Sequence, residues 1–247
     1  MAKKPKKPKT VSAESLIPQM KTEIKFKERK FKFTEKQQEL LKTLLNDASK
    51  IVFIAGPAGT SKTFMAVYAA LNLINQNDKE IVYIRTIAES ADKSMGSLPG
   101  TVAEKFQPYL LPLEDKIQEI IEHSDAHHLK EQGRISATPV NFLRGSTLTD
   151  KIIIADEVQN FTFKEITTLL TRIGEGSKIF LCGDFMQPDI KAVNGFQDFY
   201  HLFSGEDSQK HGIHTFEFTE DDIKRSEILK FIVKKINKGL LEKSQRK

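Results

Sequence analysis

The sequence predicts one α/β domain, a central parallel sheet with helices on both faces, preceded by a basic and disordered amino-terminal arm. Three observations predict it. Short apolar runs alternate with stretches of helical periodicity, the order that parallel strands joined by crossover helices require. The first run, Ile51–Ala55, is apolar without interruption, as suits a strand buried on both faces. The length, 247 residues of which 39% are hydrophobic, suits one substantial core better than two small ones.

The elements follow in order. Residues 1–20 are rich in Lys, Pro and Ser without period, the composition of a disordered segment. We place the arm over residues 1–33 and the folded domain over 34–247. Thr34-Glu35-Lys36-Gln37 opens a helix ahead of the Ile51–Ala55 strand. Residues 61–75 put Phe64, Val67, Tyr68, Leu71 and Ile74 on one helical face, and Ile81–Ile84 is a second strand. Residues 85–112, punctuated by Gly96, Pro99, Gly100, Pro108 and Pro112, read as a long loop, followed by a polar helix over 113–130. A short strand is expected near 139–143. Lys151–Ala155, Lys178–Cys182 and Ile213–Phe218 are further strands, with a helix over Phe163–Ile173. An amphipathic helix over 225–239 closes the chain, with Ile228, Phe231, Ile232 and Ile236 on its apolar face.

Charge and composition narrow the function classes. No stretch approaches the ~18 consecutive apolar residues of a spanning helix. The opening Met-Ala-Lys-Lys-Pro has no apolar core behind it, so no secretory signal or membrane partner is expected. The single cysteine, Cys182, cannot form an intrachain disulfide, and a reducing, cytoplasmic setting follows. Residues 1–33 hold eleven Lys or Arg against three Glu, a net of +8; the whole chain nets +5, so the remainder nets −3. A basic arm on a near-neutral body is either an electrostatic footprint for a polyanion or a solubilising tail.

Three segments carry chemistry. Gly56-Pro57-Ala58-Gly59-Thr60-Ser61-Lys62-Thr63 lies between a strand and a helix, where a phosphate-binding loop has to be. Its backbone N–H groups would wrap the phosphates of ATP, Lys62 would reach the β- and γ-phosphates, and Thr63 would ligate Mg²⁺. Ser61 stands where this loop pattern has glycine; if the position needs positive φ, serine costs ~1 kcal/mol there. Ile152-Ile153-Ile154-Ala155-Asp156-Glu157 is an apolar strand ending in two carboxylates, the Walker B arrangement. Asp156 would hold Mg²⁺ and Glu157 would polarise the attacking water, the strand's alternation sending the two side chains different ways. Gly183-Asp184-Phe185-Met186-Gln187 follows a strand expected to insert between the other two. Gly-Asp-x-x-Gln there resembles the sensor motif of superfamily-one helicases, a resemblance that implies Gln187 as γ-phosphate sensor, the alternative being a polar turn after a strand. Cys182 reads as a buried core thiol.

Other residues have two readings each. Gln37 is either an adenine reader or a solvated helix start. Arg225, Arg172 and Arg144 are candidate arginine fingers or ordinary surface arginines, Arg225 being favoured because it opens the last helix. Phe106, Tyr109, Phe161 and Phe163 are candidate stacking surfaces for bases, or core.

With these residues in view, the chain resembles the PhoH family. The resemblance runs through Glu89–Asp92, Gly96–Gly100, Lys105–Leu113, Phe142–Leu148, Ala155–Asn160, Leu170–Gly174, Gly176–Lys178, Gly183-Asp184 and Asp222–Arg225, in unbroken order over about residues 34–239. Ser61 is its clearest departure. The resemblance implies ATP hydrolysis on a single RecA-like domain similar to the first motor domain of superfamily-one helicases. It also implies a homo-oligomeric ring, a hexamer favoured, and single-stranded nucleic acid as substrate, RNA favoured over DNA. A lone RecA-like domain cannot close an ATP site between two domains of its own, which again points to an oligomer. The rival reading is an ATP-dependent switch or assembly factor without motor action. A small-molecule kinase ranks third, because Glu157 is placed to activate water.

Overall fold

A computed structural model of the protein describes residues 25–86, 102–143, 145–186, 195–224 and 226–244. Six parallel strands form the sheet: β1 (Ile51–Ala55), β2 (Glu80–Arg85), β3 (Ile135–Pro139), β4 (Lys151–Ala155), β5 (Lys178–Gly183) and β6 (Ile213–Glu217). Their order is β3-β2-β4-β5-β1-β6, so β5 does insert between the strand before the phosphate loop and the strand ending in Asp156. Residue alternation divides the core cleanly. Val52, Ile54, Ile81, Tyr83, Ile152, Ile154, Phe180 and Cys182 pack against α1 (Glu35–Leu45), α2 (Lys62–Gln76), α3 (Val102–Ile120) and α4 (His123–Glu131). Ile51, Phe53, Val82, Ile84, Ile153, Ile179 and Leu181 pack against α5 (Phe163–Leu170) and α6 (Gly195–Leu202). Both faces are covered, which is why the central strands β1, β4 and β5 read as nearly continuous apolar runs.

Several expectations need correction. The strand expected near 139–143 lies at Ile135–Pro139, and Val140–Leu143 is a 3₁₀ turn. Pro139 has no N–H to give a ladder and so ends this edge strand. The loop expected over 85–112 is helical from Val102, with Pro108 and Pro112 inside α3. Interior prolines cost ~3 kcal/mol each. Burial of Leu113, Ile117 and Ile120 on one helical face, at ~1.5–3 kcal/mol each, offsets that cost. The polar helix expected over 113–130 is two helices, α3 and α4. Two short helices, α6 and α7 (Glu206–Lys210), stand where none was expected. In the last helix, α8 (Glu227–Ser244), the expected core face is the exposed one: Ile228, Phe231, Ile232 and Ile236 are 44–62% exposed, and Val233 is buried instead.

The amino-terminal boundary also moves. Residues 25–33, assigned to the arm from sequence, lie on the domain. Phe26 is buried, donates its N–H to Asn75 Oδ1 (3.3 Å) and accepts from Asn75 Nδ2 at its carbonyl (3.0 Å). Arg29 N–H donates to the Ile120 carbonyl (2.8 Å), and the rings of Phe31 and Phe33 pack on Tyr68. The arm's residues 1–24 lie outside the described residues.

Candidate nucleotide-binding site

The loop between β1 and α2 wraps a cavity of about 420 Å³ at the carboxyl ends of β1, β4 and β5, the end of a parallel sheet where ligands bind. Gly56 has φ +149°, and a Cβ there would lie 2.7 Å from Phe218 Cβ, so only glycine fits. Thr60 is buried and its hydroxyl donates to the Pro57 carbonyl (2.9 Å), bracing the turn through Ala58 and Gly59. Lys62, the first residue of α2, folds its ammonium over the loop and donates to the carbonyls of Gly56 (2.7 Å) and Pro57 (3.0 Å). Burial holds Lys62 below the usual lysine range, against the opposing pull of Asp184, Glu157 and Asp156. A loop closed on its own lysine, at a helix amino terminus, is a seat for polyphosphate.

Ser61 is left-handed (φ 67°, ψ 24°), the conformation glycine adopts without cost. Ser61→Gly is therefore expected to relieve about 1 kcal/mol of backbone strain, part of it returned as unfolded-state entropy. Thermal unfolding should hold or rise, with hydrolysis preserved or faster. A tenfold loss of rate, about 1.4 kcal/mol in barrier, would show that the hydroxyl has a catalytic task.

The end of β4 supplies the acids. Asp156 accepts the Thr63 hydroxyl at Oδ1 (2.7 Å) and the Tyr83 hydroxyl at Oδ2 (2.6 Å), while its N–H donates to the Ile84 carbonyl (2.9 Å). Thr63 and Asp156 are the hard-oxygen pair that suits Mg²⁺ beside a phosphate, so these residues fit the metal. Glu157 is also left-handed (φ 55°, ψ 41°), a strained conformation for a non-glycine residue of the kind that clusters at active sites. Its Oε2 accepts from Gln159 Nε2 (2.5 Å), and its Oε1 lies 3.8 Å from the Arg85 guanidinium. Gln159 Oε1 in turn accepts from the Asp184 N–H at the tip of β5 (3.1 Å). The Asp184 carboxyl is pushed up by burial, an effect opposed by the Met186 N–H and by Lys62. Burial pushes the Cys182 thiol well up, as befits a core thiol.

The structure thus brings together Gly56 through Thr63, Asp156 and Glu157. It does not bring Gln37 or Arg172 to them. Gln37 is buried in a capping box at the start of α1, where its Oε1 accepts the Thr34 N–H (3.0 Å), and it does not line the cavity. Arg172 lies at the other end of the sheet, where its carbonyl accepts the Leu148 N–H (2.8 Å) ahead of β4. Gln187, Arg225 and Arg144 lie outside the described residues, as do the side chains of Phe106 and Tyr109. Phe161 is buried and offers no stacking surface; Phe163 is 52% exposed, with its ring stacked on Phe199 at 4.5 Å. Residue reading missed Tyr83, Gln159 and the pair Lys116–Glu119 of α3, all at the site. A tyrosine inside the apolar run Ile81–Ile84 was the available signal for the first.

A parallel sheet with this strand order, a phosphate loop closed on Lys62 and paired carboxylates on the adjoining strand define a domain of the P-loop ATPase class. The profile of the PhoH-like protein family matches residues 31–237. This chain belongs to that family. It is 37% identical over 191 residues to the PhoH-like protein of Bacillus subtilis, covering 76% of this chain and 58% of the relative. It is 36% identical over 157 residues to the PhoH-like protein of Synechocystis, covering 64% and 47%. With Protein PhoH of Escherichia coli it shares 32% identity over 197 residues, covering 78% and 54%. The chain spans about half the length of these relatives. Among solved structures, the large terminase of a thermophilic bacteriophage aligns over 80% of this chain and 48% of its own (TM-score 0.45, 16% identity). The Pif1 helicase of Candida albicans aligns over 77% and 40% (TM-score 0.39, 16% identity).

Proposed function

We propose that this protein binds and hydrolyses ATP with Mg²⁺ in the cytoplasm and couples turnover to single-stranded nucleic acid, RNA in preference to DNA, as a homo-oligomeric ring, a hexamer favoured. The observation that carries the reading is the convergence of Lys62, Thr63, Asp156 and Glu157 on one cavity. Lys62 would leave the loop carbonyls for the β- and γ-phosphates. Bound at Thr63 and Asp156, Mg²⁺ would neutralise charge on the phosphates. Glu157, held by Gln159 and beside Arg85, would orient a water and take its proton.

Assembly is supported by two features. Arg85, the arginine beside Glu157, is held at that carboxylate (3.8 Å), and a γ-phosphate transition state is strongly helped by an arginine that reaches it. The exposed apolar stripe of α8 also suits contact with another chain. Among the described residues no helix is long and apolar enough to cross a membrane.

The test is ATP hydrolysis measured with and without defined RNA and DNA strands. Stimulation by RNA above that by DNA is expected. Hydrolysis indifferent to both strands would favour the switch reading. For the arm, deleting residues 1–20, which carry five lysines, should flatten the slope of log affinity against log salt by up to about 3.5 units, at ~0.7 per neutralised phosphate. An unchanged slope would return the arm to a solubilising role.

A further inference from the structure

We infer that Tyr83 is a positioning residue for Asp156, fixing the carboxylate through which the site takes its divalent cation. The inference rests on the ATPase reading and assigns a task within it. Tyr83 sits in the middle of β2 with no exposed surface, among Ile81, Val82 and Ile84. A phenylalanine would fill that space without a polar atom to satisfy; a buried hydroxyl is tolerated only where it finds a partner. The partner here is the Asp156 oxygen that Thr63 does not use. Thr63 takes Oδ1 at 2.7 Å and Tyr83 takes Oδ2 at 2.6 Å.

Two donors on opposite oxygens fix the carboxylate plane as well as its position. The backbone adds a third constraint, because Asp156 N–H donates to the Ile84 carbonyl, the residue after Tyr83. With Oδ2 committed to the core, Oδ1 is the oxygen on the side of Thr63 and the phosphate loop. Two residues along β2, on the same face of the strand, Arg85 lies 3.8 Å from Glu157. One strand therefore addresses both carboxylates, Tyr83 the metal-holding one and Arg85 the water-activating one. Partners behind metal ligands commonly govern metal affinity by 10–100-fold.

The experiment is titration of Mg²⁺ against binding of a fluorescent ATP analogue, with metal-free ADP binding as the control. Tyr83→Phe is expected to need about tenfold more Mg²⁺ for half-maximal enhancement while metal-free ADP binds as before. In an Asp156→Asn background, adding Tyr83→Phe should bring no further shift, since the partner it acts through is already changed. A second measurement needs no substitution at all. The chain has four tyrosines, and with ¹³Cζ-labelled tyrosine the Tyr83 resonance should move when Mg²⁺ is added to the ADP complex. An unchanged Mg²⁺ requirement, a full tenfold shift on top of Asp156→Asn, or a Tyr83 resonance indifferent to Mg²⁺ would each overturn the inference. The broader reading fails differently: wild-type protein would then show no Mg²⁺-enhanced nucleotide binding.

Discussion

Lys62→Ala is expected to abolish measurable ATP binding while leaving the domain folded. In the proposed role the ammonium would meet the β- and γ-phosphates, and charge-assisted bonds of this kind contribute about 1.5–3 kcal/mol each. Loss of two such bonds would weaken binding by roughly 10²–10⁴-fold, at about 1.4 kcal/mol per decade. Stability should change little. The bonds Lys62 makes to Gly56 and Pro57 are to carbonyls at the edge of an open cavity, where water can replace it. Burial already lowers the pKa of Lys62, so removing it also relieves a desolvation penalty. Calorimetric titration with ATP and Mg²⁺, with circular dichroism as the fold control, checks this. Affinity within threefold of wild type would remove Lys62 from its assigned role.

The parts of the fold legible in the sequence are those where local pattern and burial agree. The runs Ile51–Ala55, Lys151–Ala155 and Lys178–Cys182 are apolar because both sheet faces are covered, and all three are strands. The phosphate loop and the Asp156–Glu157 pair were legible because their chemistry is tied to a strand end followed by a turn. The misreadings come from residues whose local signal was overruled by packing. Pro108 and Pro112 signal a break, yet the burial of Leu113, Ile117 and Ile120 carries α3 through them. β3, with Ser136 and Thr138 on an edge, lacks the apolar run that marked its neighbours. In α8 two apolar stripes compete on one helix, and periodicity could not say that the body takes Val233 and leaves Phe231 to solvent.

Within the site, residues contributed by chain neighbours of a motif were visible, and residues contributed by packing were not. Tyr83 reaches Asp156 across the β2–β4 pairing, 73 positions away in sequence, and Lys116 reaches the cavity only because α3 is a helix. Gln159 lies two residues from Glu157, but its second bond, to Asp184, depends on β5 lying beside β4. Gln37 is the reverse case. Its spacing from Thr34 is that of a capping box, Thr-x-x-Gln, and the cap takes up Gln37 Oε1, the oxygen an adenine contact would use.

Glu157→Gln should separate binding from chemistry. The amide is isosteric with the carboxylate and can keep the left-handed backbone of residue 157, so the loop and the Asp156 bonds stay in place. It can also keep its tie to Gln159. That bond needs an acceptor facing Gln159 Nε2, and the amide oxygen supplies one. The amide NH₂ is then the group left on the side of Arg85, where the native carboxylate has its second oxygen. An NH₂ cannot accept a proton from water. Turnover should therefore fall by about 10²–10⁴, the usual worth of a positioned general base. ATP binding should hold or tighten, because a negative charge near the γ-phosphate has been removed. Single-turnover hydrolysis beside equilibrium ATP binding reads both quantities in one preparation. Two results would sink the assignment: turnover near wild type, which would leave another group as the base, or a loss of binding matching that of Lys62→Ala. The second would mean that Glu157 serves the architecture of the phosphate loop and not the attack on the γ-phosphate.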